Sequence, residues 1–180
     1  MQNNTVLIHD VPQRSKQWFA LRKGRVTASN AYTLLTKGLA MALQANDKRF
    51  GGNYFTDRGL QLEPQAIYIY EQKNGVDILQ VGFITNSKYP NAGVSPDGVT
   101  ADTYIEVKAF NAQKHLDIHT IDDVPIEAVA QVQFGLMITE LPLAHLVLYN
   151  PDVDTKDAFK VIAIPADLGI HKNMAKKLAP

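Results

Sequence analysis

The sequence predicts a mixed α/β domain, and three observations carry that expectation. Stretches of helical period come first, a hairpin-rich run of short strands follows, and a further helix then leads into two more strands. Gln13 to Leu35 holds Trp18, Leu21, Ala28, Ala31, Leu34 and Leu35 near three-to-four spacing with a break at Lys23-Gly24, which predicts two short helices, the second capped near Thr27. Residues 38–53 carry only a weak pattern, with a loop marked by Gly51-Gly52. Gly59 to Gln72 is again helical in period through Leu60, Ala66, Ile67 and Tyr70, and stops at Asn74-Gly75. Pro64 disfavours an α conformation at Glu63 and removes a donor, so this helix is expected either to start at Pro64 or to kink there. Val76 to Thr85 reads as a strand, Ser87 to Asn91 as a turn, Gly93 to Gly98 as a short strand meeting a turn, and Tyr104 to Phe110 as an alternating strand. Ile126 to Thr139 is a third helical stretch bracketed by Pro125 and Pro142. Leu143 to Tyr149 and Phe159 to Ile164 follow as strands, joined through Asn150-Pro151-Asp152.

Composition bounds the function. The 180 residues are 46% apolar and 20% charged, with no repeat or linker to divide them, so one domain over residues 1–180 is expected. The absence of cysteine excludes a disulfide framework, a thiolate zinc site, a cysteine-ligated iron–sulfur cluster and a cysteine nucleophile. Met1 to Asp10 lacks a basic stretch leading into an apolar core, and no apolar run approaches a membrane span, so a cytoplasmic protein is expected. The net charge of zero conceals an asymmetry. Residues 1–60 hold nine Lys and Arg against three acids, and the remaining residues carry the matching negative surplus. Such a division is a hint of a polyanion at the basic part and of a cation at the acidic part, although a solvated surface could show it by chance.

Chemistry concentrates in Ser95-Pro96-Asp97-Gly98 and Ile105-Glu106-Val107-Lys108. Alternation along a strand sends Glu106 and Lys108 to one face and Ile105 and Val107 to the other. Asp97 precedes a hairpin turn expected at Thr100 to Thr103, which would bring it to Glu106. Two carboxylates held together repel unless they share a proton or a cation, and hard oxygen ligands suit Mg²⁺ or Mn²⁺. A lysine beside them could orient a water or stabilise a pentavalent phosphate transition state. A lone E-x-K is common on solvated hairpins; Asp97 after Pro96 at hairpin distance is what raises this one above that background.

The constellation resembles the mark of the PD-(D/E)XK nuclease superfamily, and the flanking segments resemble its lambda-type exonuclease (YqaJ-like viral recombinase) branch. Trp18 to Ser29 is similar to the family's W…LR.G..TAS motif, Gly59 to Pro64 to its G…E helix, and Ala130-Gln131-Val132-Gln133-Phe134 to its AQVQ helix. The resemblance implies a restriction-endonuclease-like core, a central mixed sheet flanked by helices, with a DNA-end-binding helical part at about residues 10–60 and a catalytic core at about 59–165. It implies that Asp97, Glu106 and the backbone carbonyl of Val107 bind one Mg²⁺ and that Glu63 helps hold a second. Lys108 would position the attacking water, Gln131 would support the site, and Arg22 and Ser29 would hold a 5′-phosphate, with Arg25 or Lys23 as alternative phosphate contacts. Gln133, about 200° around the helix from Gln131, should not share the site. The activity implied is 5′-to-3′ digestion of one strand of linear duplex DNA in phage-type recombination, with a single-strand annealing protein as partner and a ring-shaped trimer as assembly. Two readings stand beside it: a structure- or site-specific endonuclease of the same superfamily, and a non-catalytic DNA-binding or assembly module. His115 and His119, four apart, lack the Glu and third ligand of a zinc motif and read as exposed polar residues before the third helix.

Overall fold

The computed structural model describes residues 5–47 and 54–179; the loop expected at Gly51-Gly52 lies outside them. In chain order the elements are β1 (Val6–His9), α1 (Lys16–Arg22), β2 (Val26–Thr27), a 3₁₀ turn (Ala28–Asn30), α2 (Ala31–Lys37), α3 (Leu39–Asp47) and α4 (Tyr54–Asn74). Then come β3 (Phe83–Asn86), β4 (Ala92–Gly93), β5 (Gly98–Val99), β6 (Thr103–Lys108), α5 (Ala112–Asp117), α6 (Ile126–Thr139), β7 (Leu143–Tyr149), β8 (Phe159–Pro165) and α7 (Leu168–Leu178). The central sheet has the order β5-β6-β7-β8, with β6 and β7 parallel and the outer pairs antiparallel; β1 pairs with β3 and β2 with β4 in two small ribbons.

Helices cover both faces of the central sheet. Ile105 and Val107 of β6 point to one face and pack with Val147 against Ala66, Ile67 and Tyr70 of α4. Tyr104, Leu146 and Leu148 point to the other and join the larger core with α2, α6 and α7, through residues such as Leu34, Phe134, Ile138 and Met174. The alternation read from the sequence therefore holds, with apolar residues on both faces as a sheet sandwiched between helices requires. Gly135 of α6 packs closely on the sheet, since a Cβ there would stand 2.5 Å from the Tyr104 ring. Gly135→Ala should destabilise the fold by about 1–3 kcal/mol through overpacking, seen as a melting temperature several degrees lower by thermal unfolding.

Several expectations are corrected. The helix carrying Glu63 does not start at Pro64 but runs through it, from Tyr54 to Asn74. Pro64 is exposed, so the bond forfeited by its missing N–H falls on the solvent side where water can replace it, while the buried face of Leu62, Ala66, Ile67 and Tyr70 holds the helix. The stretch Val76 to Thr85 is strand only at Phe83–Asn86, preceded by a single bridge from Leu79 to Val99. Thr27 makes no side-chain cap and instead opens the 3₁₀ turn. His115 is not an exposed linker residue: it is buried in α5, where Nε2 lies 2.7 Å from the Asp157 carbonyl oxygen. Lys176 and Lys177 sit on α7, which Asp167 caps at both Gly169 N and Ile170 N. Among the described residues no helix is long and apolar enough to cross a membrane.

Candidate active site

The hairpin that positions Asp97 forms as its sequence requires. β5 and β6 pair antiparallel with Gly98 opposite Ile105, which sets Asp97 beside Glu106. Gly98 allows that pairing, because a Cβ there would stand 2.2 Å from Ile78 Cγ2. Asp97 Oδ2 accepts a hydrogen bond from the Val107 backbone N–H at 2.7 Å, and Gln13 Nε2 pins the preceding turn by donating to the Pro96 carbonyl at 3.0 Å. Glu106, 3% exposed, accepts from Lys108 Nζ at 2.8 Å and from Gln131 Nε2 at the same oxygen, while Tyr104 Oη donates to its other oxygen at 3.3 Å. Lys108 Nζ also donates to Gln131 Oε1 at 2.9 Å. Gln131 thus holds both members of the pair, and Gln133 turns away to tie α6 to Pro165, Asp167 and His171.

Glu63 comes to the same place from α4. With Asp97, Glu106, Val107 and Lys108 it lines an open cleft of about 300 Å³. The electrostatics follow from this crowding. Burial raises the Asp97 carboxyl well above its ordinary range, and the charges of Glu106 and Glu63 raise it further. Burial and then Glu106 raise Glu63, against a smaller opposing effect of Arg14 and Lys108. Burial alone would lower the Lys108 ammonium, but Glu106 and Asp97 outweigh it and hold the ammonium above its usual value. Among the described residues no group of three or more His, Cys, Asp and Glu side chains forms a metal cage by itself. The donors in the cleft are instead carboxylates with backbone alongside, and crowded hard-oxygen ligands are a set that a divalent cation fits, because its charge offsets both their burial and their repulsion.

The basic N-terminal part delivers its side chains unevenly. Arg22 stacks on Trp18, its guanidinium carbon 4.2 Å from the ring centroid, and its Nη1 and Nη2 donate to Ser95 Oγ at 3.2 Å and Thr27 Oγ1 at 3.4 Å. Burial lowers its pKa to about 10, so it remains a cation at neutral pH. Thr27 Oγ1 in turn lies 3.2 Å from Ser29 Oγ, and Ser29 lines a second cavity of about 290 Å³ together with Lys108 and Gln131. Arg22, Ser29 and the carboxylate cleft are therefore connected. Arg25 Nη1 donates to the Leu21 carbonyl at 2.5 Å. Two residues escaped the sequence reading. Ser95 also accepts from Trp18 Nε1 at 2.8 Å, and its only sequence signal is its place directly before Pro96-Asp97. Arg14, whose positive charge reaches Glu63, has a left-handed φ of 67° that no pattern announces.

A carboxylate directly before the first strand of a hairpin and another on its second, a lysine two residues beyond the latter, and a mixed sheet between helices define a nuclease fold of the PD-(D/E)XK class. The chain belongs to the YqaJ-like viral recombinase domain family, whose model matches residues 17–142. Among solved structures it is similar to an alkaline exonuclease from Laribacter hongkongensis, with a TM-score of 0.78 and 26% identity over 91% of this chain and 89% of that one. The complex of that exonuclease with dAMP gives 0.79 and 25% over the same shares. A phage related exonuclease from Haemophilus somnus 129PT shares the fold, with a TM-score of 0.64 and 14% identity over 86% and 90% of the two chains. No curated protein matches the chain by sequence.

Proposed function

We propose that the protein is a Mg²⁺-dependent exonuclease that digests one strand of linear duplex DNA from its 5′ end. The observation that supports this reading best is the junction of two cavities. The carboxylate cleft and the cavity holding Ser29 share Lys108 as a wall, and on this reading a nucleotide whose 5′-phosphate met Ser29 and Arg22 would present its next phosphodiester to Asp97 and Glu106. A neighbouring exonuclease has been solved in complex with dAMP, a nucleoside monophosphate.

Asp97, Glu106 and the Val107 carbonyl would hold one Mg²⁺ and Glu63 would help with a second; bound there, the ions supply charge neutralisation at the phosphate and an acidified water. Lys108, fixed between Glu106 and Gln131, directs an N–H toward the cleft and orients the incoming water by hydrogen bonding. Gln131 holds Lys108 and Glu106 in register. Arg22 presents a planar cation already aligned by Trp18, Ser95 and Thr27, so little side-chain freedom is lost when phosphate arrives. The single strand left behind is the substrate a strand-annealing protein would take, and the ring trimer implied by the family is checked by the mass of the protein in solution.

The test is digestion of linear duplexes bearing 5′-phosphate or 5′-hydroxyl, beside covalently closed circles, with Mg²⁺ or with EDTA. Linear DNA should be lost only with Mg²⁺, and the phosphorylated end faster. Arg22→Ala should remove most of that preference, a change of roughly 10- to 100-fold for one lost charge-assisted contact. Cutting of closed circles would establish an endonuclease instead, and equal rates at both ends would remove the role given to Arg22 and Ser29.

A further inference from the structure

The second cavity has more in it than phosphate chemistry needs. Besides Ser29, Lys108 and Gln131 it is walled by Tyr32, Phe110 and Pro125. Tyr32 and Phe110 are each partly buried, with one side packed on the larger core, so each is a fixed aromatic wall. Phe110 also lines the carboxylate cleft and is therefore, like Lys108, a partition between the two.

That partition is braced. Its carbonyl accepts from Asn150 Nδ2 at 3.0 Å, and Asn150, wholly buried, accepts at Oδ1 from Arg58 of α4 at 3.0 Å and from Asp152 N at 2.9 Å. Arg58 is held by Asp152 at 2.6 Å. The helix that carries Glu63 and the loop that carries Phe110 are thus tied to the same side chain.

From this arrangement we propose that the cavity is a seat for a nucleobase, with Tyr32 and Phe110 as the aromatic walls against which the base of the 5′-terminal nucleotide stacks. Every base has a π-face, so the seat accepts all four with little preference, and stacking on an aromatic wall adds to binding without reading sequence. Pro125 offers a further apolar wall, and Glu127, the acidic residue on the rim, keeps phosphate away from the base end. The proposal rests on the exonuclease reading, since it gives the terminal base a place between the two phosphate sites.

The test compares duplexes whose 5′-terminal phosphorylated nucleotide is normal or abasic, in the wild-type protein, Phe110→Leu, Tyr32→Leu and Phe110→Trp, by first-turnover rate and by KM. The wild type should cut the normal end roughly tenfold faster than the abasic one, with the difference mainly in KM. Phe110→Leu, which keeps apolar bulk, should lose most of that difference, and Phe110→Trp should retain it. Equal rates on normal and abasic ends in the wild type, or an undiminished difference in both Phe110→Leu and Tyr32→Leu, would overturn the seat while leaving the nuclease reading intact. A wild type that cuts neither end with Mg²⁺ present would overturn both. Thermal unfolding of each variant separates loss of the seat from loss of the fold.

Discussion

Asp97→Asn should abolish nuclease activity and at the same time make the metal-free protein more stable. The loss should be at least about a thousandfold, the rate equivalent of about 4 kcal/mol, because the substitution removes the charge that a bound cation would need at the reacting phosphate. The gain in stability has a separate cause. Asp97 is a carboxyl whose burial, with Glu106 and Glu63 beside it, raises its pKa well above the ordinary range. The folded chain therefore binds that proton more tightly than the unfolded chain. The metal-free fold is relatively favoured below the unfolded value and loses stability as the pH rises through the raised folded value. An asparagine keeps an acceptor for the Val107 N–H, which Asp97 receives at 2.7 Å, and carries no charge. In EDTA, melting temperatures measured from about pH 5 to about pH 9 should decline for the wild type and stay higher and flatter for Asp97→Asn. Added Mg²⁺ should stabilise the wild type increasingly toward high pH and leave the variant unmoved. Parallel curves for the two proteins would show that Asp97 is not held in the crowded carboxylate cluster.

The parts of the site written in contiguous residues were legible, and the parts assembled by packing were not. Asp97, Glu106 and Lys108 lie on one hairpin, where period-two alternation and a short turn determine which side chains meet. Gln131 and Gln133 separate as helical geometry demands, one to Lys108 and one to α7. Glu63 was harder, because the rule against a helix running through proline is local, whereas the burial of Leu62, Ala66, Ile67 and Tyr70 that overrides it is tertiary. His115 misled for the same reason: its partner, the Asp157 carbonyl, is far along the chain. Ser95 and Arg14 carry no spacing signal, and only the folded loops bring them to Trp18 and Glu63. Strand β1 and helix α7 went unread although their cues are local, Val6-Leu7-Ile8 in the first and the Asp167 cap with Met174 and Leu178 in the second.

Lys108→Ala should abolish activity as completely as Asp97→Asn but shift stability the other way. Lys108 Nζ lies 2.8 Å from Glu106 Oε1, and its charge also opposes the rise of Asp97 and Glu63. Removing it leaves three crowded carboxylates without that cation and leaves Glu106, whose side chain is only 4% exposed, without its ion-pair partner. Breaking a buried pair from one side costs about 3 kcal/mol or more; the low end applies here because a quarter of the Lys108 side chain still reaches the cleft. For a chain of this size that is a fall of roughly 10 °C in melting temperature. The decisive comparison is the double variant. If Lys108 stabilises the fold by offsetting carboxylate repulsion, adding Asp97→Asn to Lys108→Ala removes much of the repulsion that the lysine was offsetting, and the double variant should melt above Lys108→Ala alone. If the lysine contributes only its packed methylenes, the Asp97→Asn gain should be the same in either background, and a coupling of zero in that cycle would sink the electrostatic account. A positive coupling would tie the charge balance of the metal-free cleft to Asp97 and Lys108, two of the residues on which the proposed chemistry depends.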